Sequence, residues 1–264
     1  MTTPILILGA GRMGGAMVDG WRRGDSFALS DLILCDPMPG AAALKAAKAG
    51  ATLNPPLATL MRAKTVVLAV KPQMWREAAE AYADKLAIDA VVVSIAAGVK
   101  AGDIEAAFGR PVARVMPTTG AAIGKGVASI YSASDAARAR AHALFDPVGV
   151  SVDLADEGLM DAATAVSGSS PAYLYAFVEA LEAAGVTAGL APDAARILAR
   201  ATIASAAALM EASGEEPSEL RRQVTSPGGT TEAALKVLLS DRGFPTLMRD
   251  AVDAAAARAK ELGG

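Results

Sequence analysis

The stretch ILILGAGRMGGAM, residues 5–17, sets a short apolar run directly against a glycine-rich turn and then a helical pattern. Residues 5–8 read as a strand covered on both faces, because the apolar side chains run on without alternating. Gly9, Gly11 and Gly14 follow in G-x-G-x-x-G spacing. Gly9 permits the tight turn, Gly11 lets a pyrophosphate approach the backbone, and Gly14 lets helix and strand pack closely. Arg12 and Met13 open the helix, whose free N–H groups would face the phosphates. The motif is weak alone; the strand before it and the helix after it give it meaning.

Working outward, LILC (32–35) is a second strand, and Asp36 closes it. That is the place, about 20 residues beyond the glycines, for a carboxylate that binds the adenosine ribose hydroxyls. A carboxylate there repels a 2′-phosphate, so the cofactor leans to NADH. Rearrangement of Arg12 and of the loop DPMPG (36–40) around a phosphate keeps NADPH open.

Further strands are TVVLAV (65–70), AVVVSI (90–95), PVARVM (111–116) and VASIY (127–131), with helical spacing between the early ones. This is the rhythm of a mostly parallel, doubly wound sheet. Three more strand ends, AVKPQ, SIAAGV and RVMPTTG, carry small or turn-forming residues where such a sheet forms its ligand crevice. They add Ala69, Val70, Lys71, Pro72, Ala96, Ala97, Gly98, Met116 and Pro117 as cofactor-binding candidates. Lys71 either reaches a ribose, a phosphate or a substrate carboxylate, or faces solvent. Pro72 most simply starts the next helix.

After residue 157 the β signal stops. Helical patterns cover about 171–185, 192–213, 217–223, 230–239 and 244–262, separated by Gly/Pro/Ser breaks. The expected fold is therefore an α/β Rossmann-like domain over 1–157 and an all-α domain over 158–264. Helices such as ARATIASAAALM are small and apolar nearly all round, which calls for burial on two sides and implies pairing across subunits.

Among these helices lies QVTSPGGTTEAAL (223–235). Gly228 and Gly229 allow a nest of backbone N–H groups, and the helix starting near Thr230 adds its positive end. Such a turn suits a small anion, a carboxylate first of all, and Ser226 and Thr231 bring hydroxyls. The alternative is an ordinary cap, with Gly229 as N-cap and Glu232 in the capping-box position.

Composition removes other classes. The formal charge is −3 with 53% apolar residues, and no basic run exists to meet nucleic acid. No segment is apolar over the roughly 20 residues of a membrane span, and the N-terminus lacks a signal-peptide start. Cys35, the lone cysteine, reads as a small core residue, and a cytoplasmic location is expected. His142 is the lone histidine; it reads as surface structure, so neither a zinc site nor a Ser-His-Asp triad is expected.

DAATAVSGSSPAYLYAFVEAL (161–181) followed by the SPGGTT turn closely resembles the pyrroline-5-carboxylate reductase family, and the likeness runs through GAGRMGGA, AVKPQ, SIAAGV and RVMPTTG. The resemblance implies reduction of Δ1-pyrroline-5-carboxylate to L-proline by NADPH or NADH, the last step of proline biosynthesis, with hydride delivered to C5 of the cyclic imine. It also implies that Ser226, Gly228, Gly229, Thr230 and Thr231 hold the substrate carboxylate, with Thr231 beside the ring nitrogen and Thr164 a weaker candidate. A homodimer through the helical domain is implied, with a higher homo-oligomer such as a decamer left open. Three residues depart from the family's usual pattern: Ser170 stands for glycine, Thr118 for asparagine and Gly120 for proline.

A cyclic imine nitrogen is basic, so hydride addition needs positioning more than a strong enzyme acid. The absence of a motif-borne histidine agrees with this. A β-hydroxyacid dehydrogenase would need a lysine early in the helical half, and residues 154–186 contain none. A broader imine reductase stays open, and a non-catalytic dinucleotide sensor would have no use for SPGGTT.

Overall fold

In the computed structural model, which describes residues 2–263, contacts divide the chain into two units. One runs to Gly168 and regains the chain from Ala255 onward; the other is Ser169–Ala254.

The first unit is built on eight strands: β1 (Ile5–Leu8), β2 (Leu32–Cys35), β3 (Thr52–Leu53), β4 (Thr65–Leu68), β5 (Val91–Ser94), β6 (Val112–Pro117), β7 (Gly126–Tyr131) and β8 (Gly149–Asp153). They form one sheet in the order β3-β2-β1-β4-β5-β6-β7-β8. Every pairing is parallel except β6 with β7. The helices of this unit are α1 (Arg12–Arg23), α2 (Ala41–Lys48), α3 (Trp75–Tyr82), α4 (Ala101–Phe108), α5 (Asp135–Phe145) and the single turn α6 (Met160–Ala163). Two apolar clusters lie on the sheet's faces. Ile5 and Ile7 with Trp21 and Leu144 belong to one, and Leu6 and Leu8 with Trp75 and Phe108 to the other. Residues alternate faces along a strand, so continuous apolar runs follow from a sheet covered twice.

Trp21 is fully buried, donates its indole N–H to the Leu144 carbonyl (2.7 Å) and meets Phe27 edge-on with ring centroids 5.3 Å apart. A buried indole without a partner would cost about 1–3 kcal/mol, so this bond lets α1 pack against α5.

The remaining helices are α7 (Ser170–Thr187), α8 (Pro192–Ser213), α9 (Pro217–Gln223), α10 (Thr230–Leu238) and α11 (Phe244–Gly263). Proline starts α8 and α9, where its missing N–H costs nothing. α7 packs on α8 through Gly185 and Ala195, and Phe177 meets Phe244 at 5.7 Å. Among the described residues of this unit, the buried apolar side chains are Ala195 and Ala199 alone. Large apolar residues such as Tyr175, Ile197, Leu209 and Val237 stay exposed.

Met160 and Ala165 are fully buried in the sheet unit. This keeps α6 and the π-helical turn Thr164–Gly168 with the sheet, so the contact boundary falls after the end of the β signal.

Candidate active site

β1 lies between β2 and β4, so the sheet's order reverses there and the carboxyl ends diverge into a crevice. Gly9 N–H donates to the Cys35 carbonyl (2.9 Å) and Ala69 N–H to the Leu8 carbonyl (2.8 Å), which draws the three strand ends together. Gly9 has φ +91°, and a Cβ on Gly14 would sit 2.4 Å from the Gly9 carbonyl oxygen. Glycine is required at both positions. Gly11 is different, because a Cβ there would meet no protein atom within 4 Å. The space is open where a pyrophosphate would need it, and Gly11 caps α1 with no side chain over the helix N–H groups. These features fit a dinucleotide.

A cavity of about 410 Å³ opens beside this loop and is lined by Gly9, Gly11, Asp36, Ala69, Val70 and Lys71, with Cys35, Met38, Glu77 and Tyr82. Six expected cofactor residues therefore meet in one place. Arg12 lies on another hollow across the glycine loop with Met38 and Thr119. Pro72, Ala97 and Gly98 line a third with Trp75 and Leu262. Met13 and Gly14 lie within α1, and Ala96 is buried. Met116 and Pro117 end β6.

The Asp36 carboxylate accepts from Ala10 N–H (2.7 Å) and Met38 N–H (2.8 Å), which ties it to the glycine loop. Burial pushes the Cys35 thiol up to about 11, so it is an inert wall of the cavity. Burial, with Cys35 nearby, also raises the Tyr82 phenol.

Two of the sequence departures have local explanations. Thr118 pins the β6–β7 turn: its N–H donates to the Val127 carbonyl and its hydroxyl accepts from Val127 N–H, both at 2.9 Å. A Cβ on Gly120 would lie 2.4 Å from the Lys125 carbonyl oxygen, so this backbone admits no side chain there. Ser170 opens α7 directly before Pro171.

Thr164 opens the π-helical turn and donates its hydroxyl to the Met160 carbonyl (2.7 Å). A Cβ placed on Gly168 would touch both the Thr164 methyl and the Met116 thioether, so Thr164 stands close to the end of β6. Such π turns recur at functional sites.

In the helical unit, Ser226, Gly228, Gly229, Thr230 and Thr231 form one turn into α10, with Gly228 at φ +71°. Gly229 is the N-cap, and its N–H donates to the Ser226 carbonyl (3.0 Å). Glu232 accepts from Gly228 N–H (2.6 Å), one residue before the position a capping box uses. Thr230 and Thr231 occupy the first two helical positions, whose N–H groups find no acceptor within a helix.

Three contributors escaped the sequence reading. Glu157 accepts from Ala101 N–H (2.8 Å) and from buried Arg114 (3.0 Å), fastening the start of α4 behind the Ala96–Gly98 loop. Asn54 grips the backbone of Asp36. Asn54 and Glu157 belong to no motif, and Arg114, which opens RVMPTTG, carries nothing in that motif that points to its partner. His142, by contrast, is the surface residue expected, bonded to Asp146 (3.1 Å) and Asp153 (3.2 Å).

A doubly wound sheet with an open glycine loop and a carboxylate on the adjoining strand defines a dinucleotide-binding oxidoreductase. Residues 157–262 match the family model for pyrroline-5-carboxylate reductase dimerisation, and residues 4–98 that for coenzyme F420-dependent NADP oxidoreductases. A pyrroline-5-carboxylate reductase of Pseudomonas aeruginosa is 38% identical over 99% of this chain and 98% of its own. One from Coxiella burnetii superposes with a TM-score of 0.90 at 29% identity, covering 100% of both chains. A Plasmodium falciparum pyrroline carboxylate reductase structure with NADP bound gives 0.83 at 24%, covering 99% of this chain and 98% of its own. The chain belongs to the pyrroline-5-carboxylate reductase family.

Proposed function

We propose that the protein reduces Δ1-pyrroline-5-carboxylate to L-proline with a reduced pyridine nucleotide. The observation that carries this reading is one chain holding both an open glycine-loop cavity and a turn that leaves amides at the start of α10. The P. falciparum structure, which holds NADP, supports a pyridine nucleotide. The Asp36 carboxylate favours a free ribose diol and hence NADH. Residues 1–157 would bind the nucleotide through Gly9, Gly11, Arg12, Met13, Gly14, Asp36, Ala69–Pro72, Ala96–Gly98, Met116 and Pro117. Residues 158–264 would hold the substrate and pair two subunits; assembly beyond the dimer, such as a decamer, extends the same interface logic. The lone buried cysteine agrees with a cytoplasmic location.

When bound, the nicotinamide supplies the hydride. The chain's part is placement. The amides of Thr230 and Thr231, with the Ser226 hydroxyl, hold the substrate carboxylate at the positive end of α10, in a turn whose shape Gly228 and Gly229 set. The Thr231 hydroxyl holds the ring nitrogen, which is basic enough to take its proton from water. Thr164 spends its proton on the Met160 carbonyl, so toward a ligand its oxygen could act only as an acceptor, which suits a protonated imine.

The test is oxidation of NADH and NADPH, followed at the nicotinamide absorbance, with pyrroline-5-carboxylate as substrate. Turnover with a proline product is expected, faster at limiting NADH than at limiting NADPH. Measurable nucleotide binding without turnover would overturn the reading and point to another imine or to a sensing role.

A further inference from the structure

The geometry points to Asn54 as a positioning residue that fixes Asp36 for nucleotide selection; this rests on the proposed role of Asp36 toward the ribose. The β2–β3 ladder ends at the pair Leu34–Leu53, so Asp36 lies beyond strand support. Asn54 extends that support. Its own N–H donates to the Leu34 carbonyl (2.8 Å). Its side-chain oxygen accepts from Asp36 N–H (2.9 Å), and its side-chain NH2 donates to the Asp36 carbonyl (2.9 Å). One primary amide thus holds both backbone groups of one residue, as a neighbouring strand would.

The carboxylate of that residue is held at the same time. One oxygen accepts from Ala10 N–H in the glycine loop and the other from Met38 N–H. Each oxygen keeps a further lone pair, so a fixed pair of acceptors remains on the wall of the 410 Å³ cavity. A ribose diol offers two donors to such a pair, whereas a 2′-phosphate offers charge of the same sign.

The residue type follows from the demands at position 54. Its φ is +46°, a left-handed conformation that glycine, asparagine and aspartate adopt most readily. Glycine has no amide for the grip. Aspartate has the acceptor and lacks the donor. Glutamine has both groups on a longer chain without the backbone preference. Asparagine meets all three demands, and it does so immediately before Pro55, where the backbone is restricted further.

The experiment is a double-mutant cycle of Asn54→Gly and Asp36→Ser, with KM for NADH and NADPH, kcat and melting temperature as readouts. Asn54→Gly should raise KM for NADH about five- to tenfold, the weight of roughly one hydrogen bond. It should leave kcat at saturating NADH and KM for the imine within about twofold and narrow the preference over NADPH. Melting temperature should fall by no more than about 4 °C, because glycine's ease at φ +46° offsets part of the two lost amide bonds, and a fold intact at the assay temperature makes the loss of affinity a local effect. Added to Asp36→Ser, the same change should raise KM for NADH no further. Effects that multiply, or an Asn54→Gly enzyme with unchanged KM beside an impaired Asp36→Ser enzyme, would overturn the positioning role alone. An Asp36→Ser enzyme with unchanged KM for NADH would overturn the Asp36 reading and this role with it.

Discussion

Gly11→Ala separates binding from folding. At position 11 an added Cβ has no protein atom within 4 Å. The cost to the fold is the poorer N-cap, about 0.5–1 kcal/mol, or roughly 1–4 °C in melting temperature for a chain of this size. The same methyl fills the approach to the first N–H groups of α1. A pyrophosphate pushed out of reach loses two hydrogen bonds to a charged group, each worth about 1.5–3 kcal/mol. At least roughly 3 kcal/mol is lost, about two decades in affinity. Fluorescence titration with NADH beside a thermal melt measures both. Gly14→Ala is the contrasting control: its Cβ would sit 2.4 Å from the Gly9 carbonyl oxygen, so stability and binding should fall together. A Gly11→Ala protein that binds NADH within threefold of wild type would refute the assignment of that space to the pyrophosphate.

Thr231→Ala should lower kcat about ten- to hundredfold while the NADH dissociation constant stays within about twofold, and Thr231→Ser should restore most of the rate; a fully active alanine variant would remove the hydroxyl from the chemistry. For His142, burial lowers its affinity for a proton, but the bonds to Asp146 and Asp153 outweigh it and raise the pKa above 6.5. Its stabilisation is complete below that ordinary value and fades as pH rises through the folded one. Wild type should therefore exceed His142→Gln in stability by more at pH 5.5 than at pH 8.5, by under about 1 kcal/mol for so exposed a pair; equal denaturation differences at both would contradict this. With its thiol raised from 9.0 to about 11 by burial, Cys35 holds about 100-fold less thiolate at pH 7 than an unburied thiol, so alkylation followed by mass should be slower by about ten- to hundredfold. A rate near that of a free thiol would show the cavity wall to be open.

β1 and β2 were legible to the residue because burial on both faces writes itself as unbroken apolar runs. The same signal failed at the sheet's margins. β3 is two residues long, and β8, VSVD with a leading glycine, is half-exposed and reads as a boundary. Helices α8 and α9 were found at their ends because proline marks each start. Around the site, glycine spacing gave the loop and Asp36, since a backbone shape restricts residue type locally. The contacts of Asn54, Glu157 and Arg114 join residues 18 to 56 positions apart through single side chains. No periodicity records such a contact. Glu232 was legible as a cap, but the residue it caps depends on the left-handed turn at Gly228.

The helical unit buries two alanines and little else that is apolar, while residues such as Ile197 at 62% and Val237 at 71% stay open to solvent. Apolar area that is covered only by a second molecule enters stability as a mass-action term. For this half of the chain, dilution should act as a denaturant: its melting temperature should climb with protein concentration, while the sheet, with its core closed on itself, holds its own. The chain would then gain its second half by meeting a partner, in a bimolecular step whose rate is set by how much of the protein has been made.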